Sequence, residues 1–562
     1  MDTQIIDQVN LCKEKLSQEG SPLEVIIELR KMTSKEINPP LQEIIQSDIC
    51  IQLIAIVNNT TSNEIIMESL WILTNVCSGS TLQTQYIINI GGITTFLKYV
   101  SHESEDIMAQ ALWGLGNIAG DSSTSRDLVL QQDAVTIVLK QLERKDIKIV
   151  NQRTIVWVIS NFCRGKPQPK YEMVRPCVFY LGKALDKYKN DQEIIADSLW
   201  GINYLSETEQ AVDDLINYGI LQNICNHFLN SNKNTTLTPA VRIIGNVATS
   251  KDNHVDILLQ QNILQPMIQL FVHDKKAYRK ESLWTISNIM AGTSTQIQKV
   301  LEQPNFYQNL ISNRNQQQDV RKEMLYVISN GLSNSSACSF FLKNGVLEVL
   351  FEQLEVGDSK MNMVILEGLQ LLLKYINKHK QVFPVLNGKL QHLKDAAKEY
   401  LFSNMTDKLK EIYKLLRAYE KRNPPVDAIN SQLESLKIDE NQQNQIKSSY
   451  ETIEDDEEDA DEDDQEDEDE DMDEEFEDQE DIEEEEEENC QQQNNGYKQK
   501  LQGANAIGNQ EQESPYIQGA AAGPAAPPNL DQLEFQFTDE QQQQQQQQQQ
   551  YIQAQAAAAP GP

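Results

Sequence analysis

The chain has 562 residues and a formal net charge of −37, from 85 Asp and Glu against 48 Lys and Arg. Thirty of the acidic residues, and no Lys or Arg, fall between positions 451 and 488, so the remainder carries only about −7. Phosphate recognition needs clustered Lys and Arg, so a mildly acidic body argues against nucleic acid as main partner and suits a basic protein.

From the N-terminus, MDTQIIDQVNLCKEK lacks the basic-then-apolar pattern of a secretory leader. Residues 1–21 read as a short N-terminal segment. No window approaches eighteen uninterrupted apolar residues, which predicts no membrane insertion. The eight cysteines (Cys12, Cys50, Cys77, Cys163, Cys177, Cys225, Cys338 and Cys490) are scattered, without CxxC pairs. They predict reduced thiols of an intracellular protein, with neither metal nor disulfide.

A unit around Pro39 and Pro40, KEINPPLQEIIQ, begins a stack. Six times from there an aromatic residue or arginine is followed four positions later by asparagine: Trp71/Asn75, Trp113/Asn117, Trp157/Asn161, Arg242/Asn246, Trp284/Asn288 and Tyr326/Asn330. Trp200 and Tyr204 occupy the same register, and successive lead positions lie 42, 44, 43, 42, 42 and 42 residues apart. Such regularity predicts an all-α solenoid over residues 22–420. Each unit reads as a short helix, a longer apolar helix carrying the pair, a Gly or Ser break, and a helix opening the next unit. Openings such as GGITTFL, DAVTIVL, YGILQNI, QNILQPM and NGVLEVL place Gly, Asp or Asn as helix starts. Residues 346 to about 420 read as a degenerate closing cap. From 421 to 562, an acidic, Ala/Gly/Pro-rich and Gln-rich tail cannot bury a core and is expected to be disordered.

Residues four apart share a helix face, so the repeats predict a ladder of rings interleaved with carboxamides. Parallel rings would form slots one side chain wide, burying the methylenes of Lys or Arg and leaving the charged tip beyond them. Asn can hold both the C=O and the N–H of an extended backbone. Glu68, Asp197, Glu281 and Glu323, one turn before the lead position, and Asp121 in the GDSS turn supply carboxylates. A lone pair of this kind is ordinary packing. Its recurrence favours an exposed binding face, because Asn is a mediocre helix former and a costly buried residue. The competing reading is an internal Asn ladder bonded between repeats. Tyr204 and Arg242 interrupt the series, predicting two sites, with Arg242 paired to Glu207 or Asp197.

The strings WGLGNIAGDS, ISNFCRGKPQP and WTISNIMAG resemble those of importin alpha, an armadillo-repeat adaptor, over roughly residues 22–375. The resemblance implies a right-handed superhelical armadillo solenoid that receives nuclear localisation signals. Its implied major site is Trp71, Asn75, Gly79, Thr84, Trp113, Asn117, Asp121, Trp157 and Asn161, with Asp121 receiving a critical lysine. The implied minor site is Arg242, Asn246, Trp284, Asn288, Glu323, Tyr326 and Asn330. Implied partners are signal-bearing cargo proteins and importin beta, with an export receptor a further candidate and a location in cytoplasm and nucleus. The family's basic, importin-beta-binding N-terminal segment is not recognisable before the first repeat, where only Lys13 and Lys15 are basic. Tyr326 in place of Trp, Thr154 in place of Asn, and Glu207-Thr208 in place of Asp-Gly are further departures. The alternative reading is an armadillo scaffold or cargo chaperone that binds basic segments without delivering them. With six histidines, no phosphate-cradling loop and no metal-ligand spacing, neither an enzyme nor a cofactor is expected.

Overall fold

In the computed structural model the described residues run from Thr3 to Pro424, less 19–21, 36, 230, 357–358, 388 and 390–402. They belong to the first of two compact units, Met1–Gln502; the second, Gly503–Pro562, lies outside the described residues. So do Cys490 and the tail from 425 onward. Every regular element among the described residues is a helix.

Three helices make the unit. Thr81–Asn89 and Gly92–Tyr99 lead into the long Glu105–Asp121; Ser123–Leu130 and Ala134–Leu142 lead into Ile149–Cys163; Glu209–Asn217 and Ile220–His227 lead into Asn234–Ala248. In one unit the two short helices are replaced by a single one, Tyr171–Lys187, ahead of Gln192–Leu205. The long helices stack in chain order, from Asn63–Cys77 through Lys276–Met290 and Gln318–Gly331 to Ser359–Lys378. Their apolar positions explain this: Leu70, Ile72, Leu73 and Val76 around Trp71 are wholly buried. Each such side chain contributes roughly 1.5–3 kcal/mol of gross burial free energy.

The residues expected to start the second short helices have a different role from capping. Gly91, Asp133, Gly219, Asn262 and Gly345, together with Asp48 and Asn305 at corners the sequence reading did not single out, all have positive φ, between 55° and 93°. The side chains of Asp48, Asp133 and Asn305 make no cap hydrogen bond. The corner requires a left-handed residue, which Gly adopts without penalty and Asp or Asn tolerate.

Both ends extend the expected boundaries. The N-terminal segment forms a helix, Thr3–Leu16, packed on Leu23–Thr33 and Leu41–Gln46 with Val9 and Cys12 buried. At the other end Ser403–Arg422 packs on Ser359–Lys378 through Leu409, Ile412, Leu416 and Tyr419. All seven described cysteines are buried and none of them is in a disulfide. Burial pushes the Cys50 and Cys225 thiols up to about 12, which keeps them from reacting as thiolates.

The left-handed corners carry a stability expectation. Gly219→Ala should cost about 1 kcal/mol, whereas Asp133→Gly should be neutral within a few tenths, read by denaturant unfolding. Equal effects at the two positions would contradict this account of the corner.

Candidate functional site: a ladder of rings and carboxamides

The long helices bring the expected pairs onto one continuous face, and a bond between repeats sets their alignment. Asn117 Nδ2 donates to the Thr74 carbonyl at 3.4 Å, Asn161 to Gly116 at 3.2 Å, Asn246 to Asn203 at 3.3 Å and Asn330 to Ser287 at 2.8 Å. Each acceptor is the residue just before the ladder position of the preceding repeat. Asn75, first in the series, instead donates to the hydroxyls of Thr33 (3.2 Å) and Ser34 (3.1 Å). Asn288 turns to the Trp284 carbonyl of its own helix. Carbonyl acceptors orient the amides of Asn117, Asn161, Asn246, Asn288 and Asn330 with nitrogen toward the protein. Among the described residues no protein donor reaches the Oδ1 of these asparagines, and none of those oxygens is a buried unsatisfied atom. These oxygens are not sealed off, although Asn161, Asn288 and Asn330 are themselves buried, with only 4–6% of their surface exposed. The Asn series is thus an internal ladder through its nitrogens, with oxygens that no protein donor takes among the described residues.

The rings lie on the backbone of the preceding repeat. A Cβ at Gly116 would overlap the Trp157 ring, and one at Gly245 would overlap Trp284. The residue before each ladder position is small or polar throughout, namely Thr74, Gly116, Ser160, Asn203, Gly245, Ser287 and Ser329. That periodicity was available as a signal for these ring seats.

Open parallel slots do not hold between Trp113 and Trp157. Their centroids are 4.7 Å apart with planes inclined by 44°, whereas a methylene chain between two faces needs about 7 Å, two van der Waals contacts. Trp71 is covered instead by the protein's own cation: the Arg30 guanidinium lies 4.7 Å from its ring centroid and Nε is 2.8 Å from Glu68. Glu68 is thus committed within the fold.

The interruption is equally built. Trp200 and Tyr204 stack at 6.0 Å, and Arg242 lies over Trp200 at 5.7 Å. Arg242 pairs with Glu281 at 3.4 Å, rather than with Glu207. Glu207 binds Lys166 at 3.2 Å and accepts from Gln168 at 2.8 Å. It holds the 164–170 loop together with Arg126, a fully buried guanidinium donating to the carbonyls of Arg164 and Pro167. Thr154 is buried with its hydroxyl turned to the Val150 carbonyl.

Asp121 ends the Glu105–Asp121 helix, so its carboxylate adds to the negative end of the helix dipole. Oδ2 accepts from Ser125 Oγ at 3.1 Å. Thr84 is fully buried, donating to the Cys77 carbonyl, so it presents no surface to a ligand. Gly79 is exposed and clears space for the Gln83 side chain of a capping box. Beyond the interruption, Lys322 lies 5.6 Å from the Tyr326 ring. Glu323 keeps some accessible surface, but its carboxyl is surrounded by protein. Burial pushes it up to about 7, against the pull of Lys280 and Lys322 and with the push of Glu281 and Asp319. No metal-binding cluster of His, Cys, Asp or Glu occurs among the described residues.

Fold and site together define an armadillo-repeat solenoid. No protein-family model matches the chain. Importin subunit alpha-1a of Oryza sativa subsp. japonica is 32% identical over 281 residues, covering 50% of this chain and 53% of that protein. Importin subunit alpha-4 of Arabidopsis thaliana is 32% identical over 356 residues, 63% and 65%; importin subunit alpha-B of Dictyostelium discoideum is 40% identical over 222 residues, 39% and 42%. The matches span about half the length of the first of these relatives. The crystal structure of an engineered protein shares the fold, with TM-score 0.65 and 18% identity over 73% of this chain and 99% of its own. These similarities support an importin alpha family armadillo-repeat protein.

The ring seat can be tested directly. Gly116→Val should expel the Trp157 indole, shift tryptophan emission to longer wavelength and cost about 1–3 kcal/mol in denaturant unfolding. Unchanged emission would remove the seat from the account.

Proposed function

We propose that this chain is a receptor for nuclear localisation signals, holding Lys/Arg-rich segments of cargo proteins in extended form for import from cytoplasm to nucleus. The observation that carries the reading is the row of Asn oxygens that no protein donor takes among the described residues, held by nitrogens bonded to the preceding repeat and flanked by rings. An extended peptide rises about 3.3 Å per residue and neighbouring helix axes lie about 8–10 Å apart, so each repeat meets two to three peptide residues. The Asn oxygens accept backbone N–H groups without reading side chains, while rings and carboxylates select cations.

The first site comprises Trp71, Asn75, Gly79, Trp113, Asn117, Asp121, Trp157 and Asn161, with Thr84 supporting it from beneath. Asp121 receives a lysine ammonium. The second comprises Arg242, Asn246, Trp284, Asn288, Glu323, Tyr326 and Asn330. Arg164 and Arg242, whose charges both act on Tyr204, repel a basic peptide from the middle and divide the two sites. The touching Trp113 and Trp157 rings must separate to admit a side chain, and Arg30 must leave Trp71 for that face to be used. Importin beta is the proposed carrier partner.

The test is binding of a fluorescent lysine-rich signal peptide. Asp121→Lys should weaken it about 10- to 100-fold, the scale of a charged hydrogen bond lost; equal binding sinks the first-site assignment. Capture of importin beta by the cargo-loaded protein is expected, and its failure despite peptide binding would favour the scaffold reading.

The second site should be pH-sensitive. Glu323 in the free protein is protonated below about 7, and a bound cation favours its ionised form, so binding releases a proton and strengthens as pH rises through 7. Second-site peptide affinity should rise up to about tenfold from pH 6 to 8, and Glu323→Gln should flatten the profile. A profile unchanged by that substitution would exclude Glu323.

A further inference from the structure

We propose that the outward face of the last described helix, Ser403–Arg422, docks the chain's own acidic run at 451–488. Lys410, Lys414, Arg417 and Lys421 are all exposed and follow one another at intervals of four, three and four residues, which places them in one stripe. The opposite stripe, Leu409, Ile412, Leu416 and Tyr419, is the face buried against Ser359–Lys378. The helix is thereby fixed with its basic stripe outward.

Three of the four cations in that stripe have no carboxylate partner among the described residues. Glu411, the nearest exposed carboxylate, is paired with Lys374 at 3.2 Å, and no carboxylate partner for Lys414, Arg417 or Lys421 occurs among the described residues. Lys378 and Lys380, exposed at the end of the neighbouring helix, add to the same end of the molecule. Like charges one turn apart repel, so the arrangement favours an anionic partner. The only segment of matching density and opposite sign in the sequence is the run with 30 Asp and Glu and no Lys or Arg at 451–488.

Reach and concentration also fit. Residues 423–450 separate helix and run, a length of chain sufficient, by general chain statistics, to bridge about 30 Å, the same as a helix of twenty residues at 1.5 Å each. Tethering of this kind gives an effective concentration on the order of millimolar. Contacts between exposed charges are screened by salt, so the docking is reversible and ionic-strength dependent. The proposal is independent of the signal-binding reading.

The experiment is zero-length carbodiimide cross-linking of the full chain, as an equal mixture of 14N- and 15N-labelled copies, with cross-links mapped by mass spectrometry. Cross-links should join Lys410, Lys414 and Lys421 to carboxylates of 451–488 within one copy, and fall several-fold when NaCl is raised from about 50 to 500 mM. Because a stripe reversed to Glu could unfold the helix, a second variant leaves the helix intact: all Asp→Asn and Glu→Gln within 451–488. In it, acetylation of Lys414 and Lys421 should quicken several-fold while that of Lys98 stays constant. The proposal is overturned if the run cross-links equally to the exposed Lys98, Lys183 and Lys343, if cross-links join only different copies, or if the neutralised run leaves Lys414 and Lys421 reactivity unchanged.

Discussion

The hydrogen bond from a ladder asparagine to the carbonyl just before the preceding repeat's ladder position governs this structure. Asn117, Asn161, Asn246 and Asn330 all make it. Hydrophobic stacking is non-directional and would tolerate one long helix sliding or rotating against the next. A directional bond at each junction sets the register in which rings and carboxamides align. It also resolves how Asn can recur on partly buried faces, since its amide nitrogen is satisfied at modest net gain while its oxygen stays available.

Around this alignment the chain distributes its cations asymmetrically. Arg30 and Arg242 each lie over an indole and pair with the glutamate one turn before the next repeat's Trp, at Glu68 and Glu281. Two of the carboxylates that composition offers to a basic ligand are therefore already engaged. Asp121, at a helix C-terminus, has one oxygen bonded to Ser125, and burial pushes the Glu323 carboxyl up to about 7. The two carboxyls thus sit in different settings, one at a helix end and the other surrounded by protein.

Much of this was legible along the chain. A spacing of 42 to 44 residues required a helical solenoid, and the i, i+4 pairing required ring and carboxamide to share a face. The motif strings pointed to the importin alpha family. Less legible were the seats beneath the rings: the small residues Thr74, Gly116, Ser160, Gly245 and Ser287 are periodic, but their meaning depends on a ring arriving from the next repeat. Arg30 was invisible for the same reason, standing outside the WxxxN register yet reaching Trp71 from the neighbouring helix.

By itself the sequence determined the repeat, the helical class, the face on which each pair lies and the break at Tyr204 and Arg242, because all of these depend on local periodicity within a helix. Tertiary structure alone decided which atom of each asparagine is bonded to the protein, which glutamates are taken, that Trp113 touches Trp157 and that Thr84 is sealed inside. Those outcomes depend on contacts between residues some forty positions apart, whose distances follow from how successive helices cross and not from the order of residues within any one of them.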